Sequence, residues 1–123
     1  MNLDISDLRP FLPAKDYAVS KAFYEALGWV VEYEDDHLAL LANAERRFYL
    51  QRAYVKDWAE NTMLFIPVAD ATASFDAIRA LLEPGRFGDA RVAPPRHQPY
   101  GALVTHVWDP AGVLLHLAQW TDA

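Results

Sequence analysis

A chain of 123 residues that is 53% apolar and 13% aromatic is long enough to bury one hydrophobic core and too short for two ordinary domains. Its formal charge of −6 and pI near 5.0 lack the basic footprint that nucleic-acid binding requires. Without cysteine there are no disulfides and no thiolate chemistry, and no apolar run approaches the roughly 20 residues of a bilayer span.

The opening stretch MNLDISDLRP carries acids before any cation and has no apolar core, so it does not read as a secretory signal. The expected home is the cytoplasm. A first strand ends in Pro13, which lacks a backbone donor and suits a strand exit or edge. Asp16 then caps a helix whose apolar positions recur at Ala18, Ala22, Phe23, Ala26 and Leu27, and Gly28 stops it. Three strands follow, over Trp29–Glu34, His37–Ala42 and Glu45–Arg52, with Asp35-Asp36 and Asn43-Ala44 as turn signals. The segment Tyr54–Asn61 reads as a connector with a helical turn.

The pattern then restarts. FIPVADATASFDAIRAL (65–81) repeats FLPAKDYAVSKAFYEAL (11–27) at an offset of 54, matching Phe11/Phe65, Pro13/Pro67, Asp16/Asp70, Ser20/Ser74, Ala26/Ala80 and Leu27/Leu81. Asp70 caps the second helix, Ala73, Ala77, Ile78, Leu81 and Leu82 line it, and Pro84-Gly85 ends it. Arg86–Gln98 is loop-rich, with one short strand near Arg91–Ala93 and a rim or lid over Pro94–Gln98 that carries His97. Tyr100–Trp108 and Val113–Trp120 close the chain as a hairpin. The fold class is α+β: two βαβββ modules, about 5–53 and 61–121, within one domain spanning 1–123, their mixed sheets curling into a cup with helices outside.

The hairpin loop Asp109-Pro110-Ala111-Gly112 fits a type I turn followed by a left-handed glycine. That register sets His106 opposite His116 and gathers Val104, His106, Trp108, Leu114, His116, Ala118 and Trp120 on one face. Thr105, Val107, Val113, Leu115 and Leu117 form an aliphatic face suited to packing on helices.

This order, with FLPAKDYAVSKAFYEALGW near the start and DPAGVLLHLAQ near the end, resembles the vicinal oxygen chelate superfamily, which holds glyoxalase I, extradiol dioxygenases and bleomycin-resistance proteins. The resemblance runs from about Leu8 to Trp120 and implies homodimers, a habit that the apolar content also favours. In metal-dependent members the ion is held from the first and fourth strands of each module. Those positions fall here at Arg9, Tyr49, Met63 and His116. Arginine has no acceptor, and a thioether is wrong for the divalent ions such enzymes use, so His116 stands alone. The resemblance therefore implies the metal-free, bleomycin-resistance-like branch, with a small-molecule ligand and neither cofactor nor metal.

The expected ligand contacts are Arg9, Tyr49, Met63, His106, Trp108 and His116. Arg9 suits a ligand carboxylate or phosphate, or else an ion pair with a neighbouring acid. Trp29, Phe48, Tyr49, Tyr54 and Trp58 are candidates for stacking, of which only a minority is expected in the site because such aromatics are more often core, and Glu32 and Glu45 are candidates for completing a two-histidine metal site. His37 is expected to be exposed. The alternatives are a metal-dependent isomerase, lyase or dioxygenase built on His116, and a metal-free enzyme with His106 or His116 as general base.

Overall fold

Asp16 and Asp70 both act as helix caps, accepting hydrogen bonds from the amides of Val19 at 3.3 Å and Ala73 at 2.9 Å. From these points the same order of elements is built twice in the computed structural model, which describes residues 1–121. The first unit comprises β1 (Phe11–Pro13), α1 (Tyr17–Ala26), β2 (Val30–Glu34), β3 (Leu38–Asn43) and β4 (Arg46–Gln51). A short helix α2 (Lys56–Glu60) leads to the second unit. That unit comprises β5 (Met63–Pro67), α3 (Ala71–Leu82), β6 (Arg91–Val92), β7 (Arg96–Gln98), β8 (Ala102–Trp108) and β9 (Leu114–Trp120).

Sheet one runs β1-β4-β3-β2 and sheet two runs β5-β9-β8-β6, with β7 also on β8. In each, the first strand lies parallel to the last, and the others pair antiparallel. The two short strands β6 and β7 together occupy the place that β2 holds in sheet one. Pro94 and Pro95 interrupt the ladder between them, since neither can donate. His97 therefore sits on a strand, paired with Leu103, and not on a loop lid.

The expected helix faces hold at Phe23 and Ile78 and, half-buried against the core, at Ala22, Leu27, Leu81 and Leu82, but not at four alanines. Tyr17, Ser20, Phe23 and Tyr24 are the buried residues of α1, and Ala71 and Ile78 those of α3, while Ala18, Ala26, Ala73 and Ala77 face outward. The larger side chains win because burial free energy scales with apolar area removed from water. One buried cluster joins Leu12, Leu41, Phe48 and Leu50 of sheet one, Phe23 and Tyr24 of α1, Ile78 of α3, and Val107, Leu115 and Leu117 of sheet two. The helices thus cover one face of each sheet. The other face of each is open, and Phe11, Met63, Phe65 and Trp120 stand exposed there.

Candidate binding face

The parallel pairings place the repeat in register at the atomic level. Phe11 lies beside Tyr49 in sheet one as Phe65 lies beside His116 in sheet two. The four positions singled out on the first and last strands pair off accordingly. Arg9 donates to the Tyr49 hydroxyl at 3.0 Å, and Met63 Sδ stands 3.4 Å from His116 Nε2. Each module therefore closes its first and last strands with one side-chain contact on the open face.

In sheet one, Arg9 also forms an ion pair with Asp7 at 2.7 Å, which holds the Asp7 carboxyl below its usual value. Its guanidinium is divided between an acid and a phenol, so the ion-pair alternative is what the structure displays. Phe11 stacks on the Tyr49 ring at 4.8 Å. Among the described residues no contact joins this group to the histidines of sheet two.

In sheet two the hairpin takes the expected register. Asp109 N donates to the Val113 carbonyl at 2.9 Å across a three-residue loop, and Gly112 adopts φ +99°. His106 pairs with His116, their rings 4.9 Å apart and inclined by 70°. Burial, then the neighbouring His116 and Arg96, push the His106 pKa below its ordinary value, so its ring stays neutral and offers a lone pair at neutral pH.

The aromatic candidates divide between core and surface. Phe48 is buried and packs edge-on against Tyr24 and against Trp29, which is half-buried at the edge of the same cluster. Tyr54 carries the Lys15 ammonium over its ring, and Trp58 is half-buried on α2. The Trp108 ring is covered by the Arg91 guanidinium at 3.8 Å, a cation–π contact that takes one of its faces. His37 is exposed, as expected.

Instead, Met63, Phe65, Tyr100, His116 and Trp120 line an open depression of about 530 Å3. Phe65 and Trp120 lie with centroids 5.6 Å apart, and Tyr100 stands 6.1 Å from Trp120. Ala102, Val104 and Ala118 form a small buried cluster on the same face, so the hairpin face is not all cavity wall. Phe65 and Trp120 were legible as positions sharing parity with Met63 and His116. Tyr100 lies before its strand, and only the tertiary fold brings it in.

The four positions that the resemblance implies do not suit a divalent ion: Arg9 cannot ligate, Tyr49 accepts from Arg9, and Met63 is a neutral thioether. Glu32 is engaged by Arg47 at 2.7 and 3.1 Å, and Glu45 lies in the β3–β4 turn of the other sheet. Among the described residues no three His, Cys, Asp or Glu side chains are grouped to hold an ion.

No protein-family model and no curated protein matches the sequence. Solved structures do match. A bleomycin resistance determinant encoded on the transposon Tn5 superposes with a TM-score of 0.75 at 22% identity, over 97% of this chain and 100% of that one. The fold is that of the bleomycin-resistance and glyoxalase/bleomycin resistance/dioxygenase structures. An antibiotic-binding protein from Streptomyces sp. CB03234 matches with a TM-score of 0.75 at 19% identity, covering 98% of this chain and 100% of that one. A glyoxalase/bleomycin resistance protein/dioxygenase from Nocardioides gives 0.74 at 14%, covering 99% and 88%.

Proposed function

We propose that this chain is a small-molecule binding protein of the bleomycin-resistance type, which holds its ligand on the open face of sheet two without a divalent metal. The observation that carries this reading is the cluster of Phe65, Tyr100 and Trp120, about half exposed, beside His116 and Met63 in one depression. Exposed aromatic rings at this spacing offer stacking surfaces for a planar ligand, with imidazole nitrogens as the polar handle. The ligand set is therefore Met63, His106 and His116 with these aromatics; Trp108 forms the wall beyond them. Arg9 and Tyr49 form the corresponding patch on sheet one. Solved relatives of this fold bind bleomycin and other antibiotics, which supports the ligand class.

Two open sheet faces in one chain support a homodimer, in which a second copy covers apolar surface and deepens the shallow depression into a cup. Residues 1–123 act as one binding domain in this reading, in the cytoplasm. Among the described residues no helix is long and apolar enough to cross a membrane. The net charge of −6 favours capture of cationic ligands by long-range steering. The enzymatic alternative on His116 is less favoured, because the other three family positions supply no ligand for a divalent ion.

A thermal-shift screen tests the reading, with metal-free and copper-loaded bleomycin as first probes and a panel of planar cationic antibiotics behind them. Ligand at 100 times Kd stabilises by about 2.7 kcal/mol. Binding that shifts the melt in the wild type and is lost in Trp120→Ala and Phe65→Ala supports it. A hit that survives both substitutions, or a panel without a hit, overturns it.

A further inference from the structure

Sheet two brings three donor atoms of one chemical character together. Met63 on β5, His116 on β9 and His106 on β8 lie on adjacent strands and share the open face. The Sδ of Met63 and Nε2 of His116 are 3.4 Å apart. With metal–nitrogen and metal–sulfur bonds of about 2.0 and 2.3 Å, that gap subtends roughly 104° at a shared ion, close to a tetrahedral angle. A small reorientation of the two side chains suffices for them to ligate together. His106, whose ring centroid is 4.9 Å from that of His116, is the third donor within reach of the same ion.

The donor set is a thioether and two imidazoles, with no carboxylate among them. Soft sulfur selects soft ions, and a neutral set offers no charge to offset a dication. Arg96 places a cation near His106, which penalises a doubly charged ion more than a singly charged one. Phe65 stands beside the site with its ring centred 6.2 Å from that of His116.

We propose that Met63, His116 and His106 form a binding site for a soft monovalent metal ion, Cu(I) or its redox-inert analogue Ag(I). The site shares a face with the organic ligand proposed above but does not rest on that reading. The two can fail separately, because the probe here is the metal alone.

The experiment titrates silver nitrate into the full chain in chloride-free buffer. It follows methionine methyl and histidine ring signals by NMR, with metal content measured after desalting. The chain has two methionines, so Met63 and Met1 are told apart readily. One Ag(I) per chain is expected, moving the Met63 methyl and the rings of His116 and His106 while Met1, His37 and His97 stay still. Met63→Leu weakens binding by at least about tenfold, the scale of losing one donor. Its side chain is 62% exposed, so the fold is retained and an unchanged melting curve verifies this. His116→Gln gives the same loss. Zn(II) at equal concentration leaves the spectra unchanged. The proposal is overturned if Ag(I) does not bind, binds Met63→Leu as well as wild type, settles on Met1, His37 or His97, or is matched by Zn(II).

Discussion

The Tyr24 hydroxyl donates to Asp109 Oδ2 at 2.6 Å across 85 residues of sequence, and both side chains are buried. This bond ties α1 of the first unit to the β8–β9 loop of the second. The other Asp109 oxygen accepts from the amides of Ala111 at 2.8 Å and Val113 at 3.0 Å, fixing the loop that sets the histidine register. Burial raises the Asp109 pKa against these hydrogen bonds, and the Tyr24 phenol is pushed well above its ordinary value for the same reason.

Tyr24→Phe is expected to leave a buried carboxylate oxygen without its donor. The cost is about 1–3 kcal/mol, a fall in Tm of roughly 5–10 °C in a chain of this size, read by calorimetry. Combining it with Asp109→Asn should cost less than the separate losses added, because the two share one bond. Full additivity would show the bond to be energetically idle.

Gly112→Ala tests the loop itself. At φ +99° a Cβ is strained, and it would meet Glu60 Cγ at 3.4 Å. The expected cost is about 1–2 kcal/mol, with weakened contact between the His106 and His116 rings in NMR. A neutral outcome on both readouts would mean the loop re-forms in another turn type and the glycine is dispensable.

The acid limb of stability reports on His106. Its folded pKa lies below the 6.5 of an unperturbed histidine, so the unfolded chain takes up the proton first. Stability from this group is full above about pH 6.5 and is lost as pH falls through that value and then the lower folded one. Asp109, with its raised pKa, acts in the opposite sense as pH falls toward 3.8. Melting curves from pH 7.5 to 5.5 should therefore show a shallower decline in His106→Gln than in wild type. Parallel declines would contradict the neutral ring.

For the oligomer, light scattering at roughly tens of micromolar should give twice the 13.9 kDa chain mass. Phe65→Glu with Trp120→Glu should give the monomer with a retained circular dichroism spectrum. A wild-type monomer would show that the open faces serve ligands alone.

Protein purified without chelator is expected to carry no stoichiometric zinc, nickel or iron. Arg9 and Met63 stand where relatives that use such ions need donors. One divalent ion per chain, lost in His116→Ala, would contradict this.

Much of this architecture was legible because it rests on local signals that are also global ones. The capping aspartates, the glycine of the last hairpin and the period-2 alternation of β9 each fixed a register, and with it the meeting of His106 and His116. The repeat offset that equates Phe11 with Phe65 holds in the pairings of both sheets, where Tyr49 and His116 are the corresponding partners on the last strands. What escaped reading was decided by tertiary competition. Phe48 and Trp29 have the chemistry of ligand-stacking residues, yet the Tyr24 ring claims Phe48 for the core. Trp108 keeps its place on the face but gives one side to Arg91, a partner on a two-residue strand too short to carry a periodic signal. Tyr100, expected to open the penultimate strand, lies in the turn before β8 instead.

The two prolines that divide β6 from β7 have a consequence for the behaviour of the protein in a crowded solution. An uninterrupted edge strand presents a row of free donors and acceptors on which another chain can template itself. Here that border of sheet two is broken into stubs of two and three residues, with Pro94 and Pro95 offering no N–H in the gap. Fibrillar growth by strand addition along this border is thereby denied, although aromatic surface lies exposed a few residues away. At this border, edge-to-edge contact, which has no natural end, is disfavoured, whereas the face-to-face contact of the proposed dimer closes after two copies.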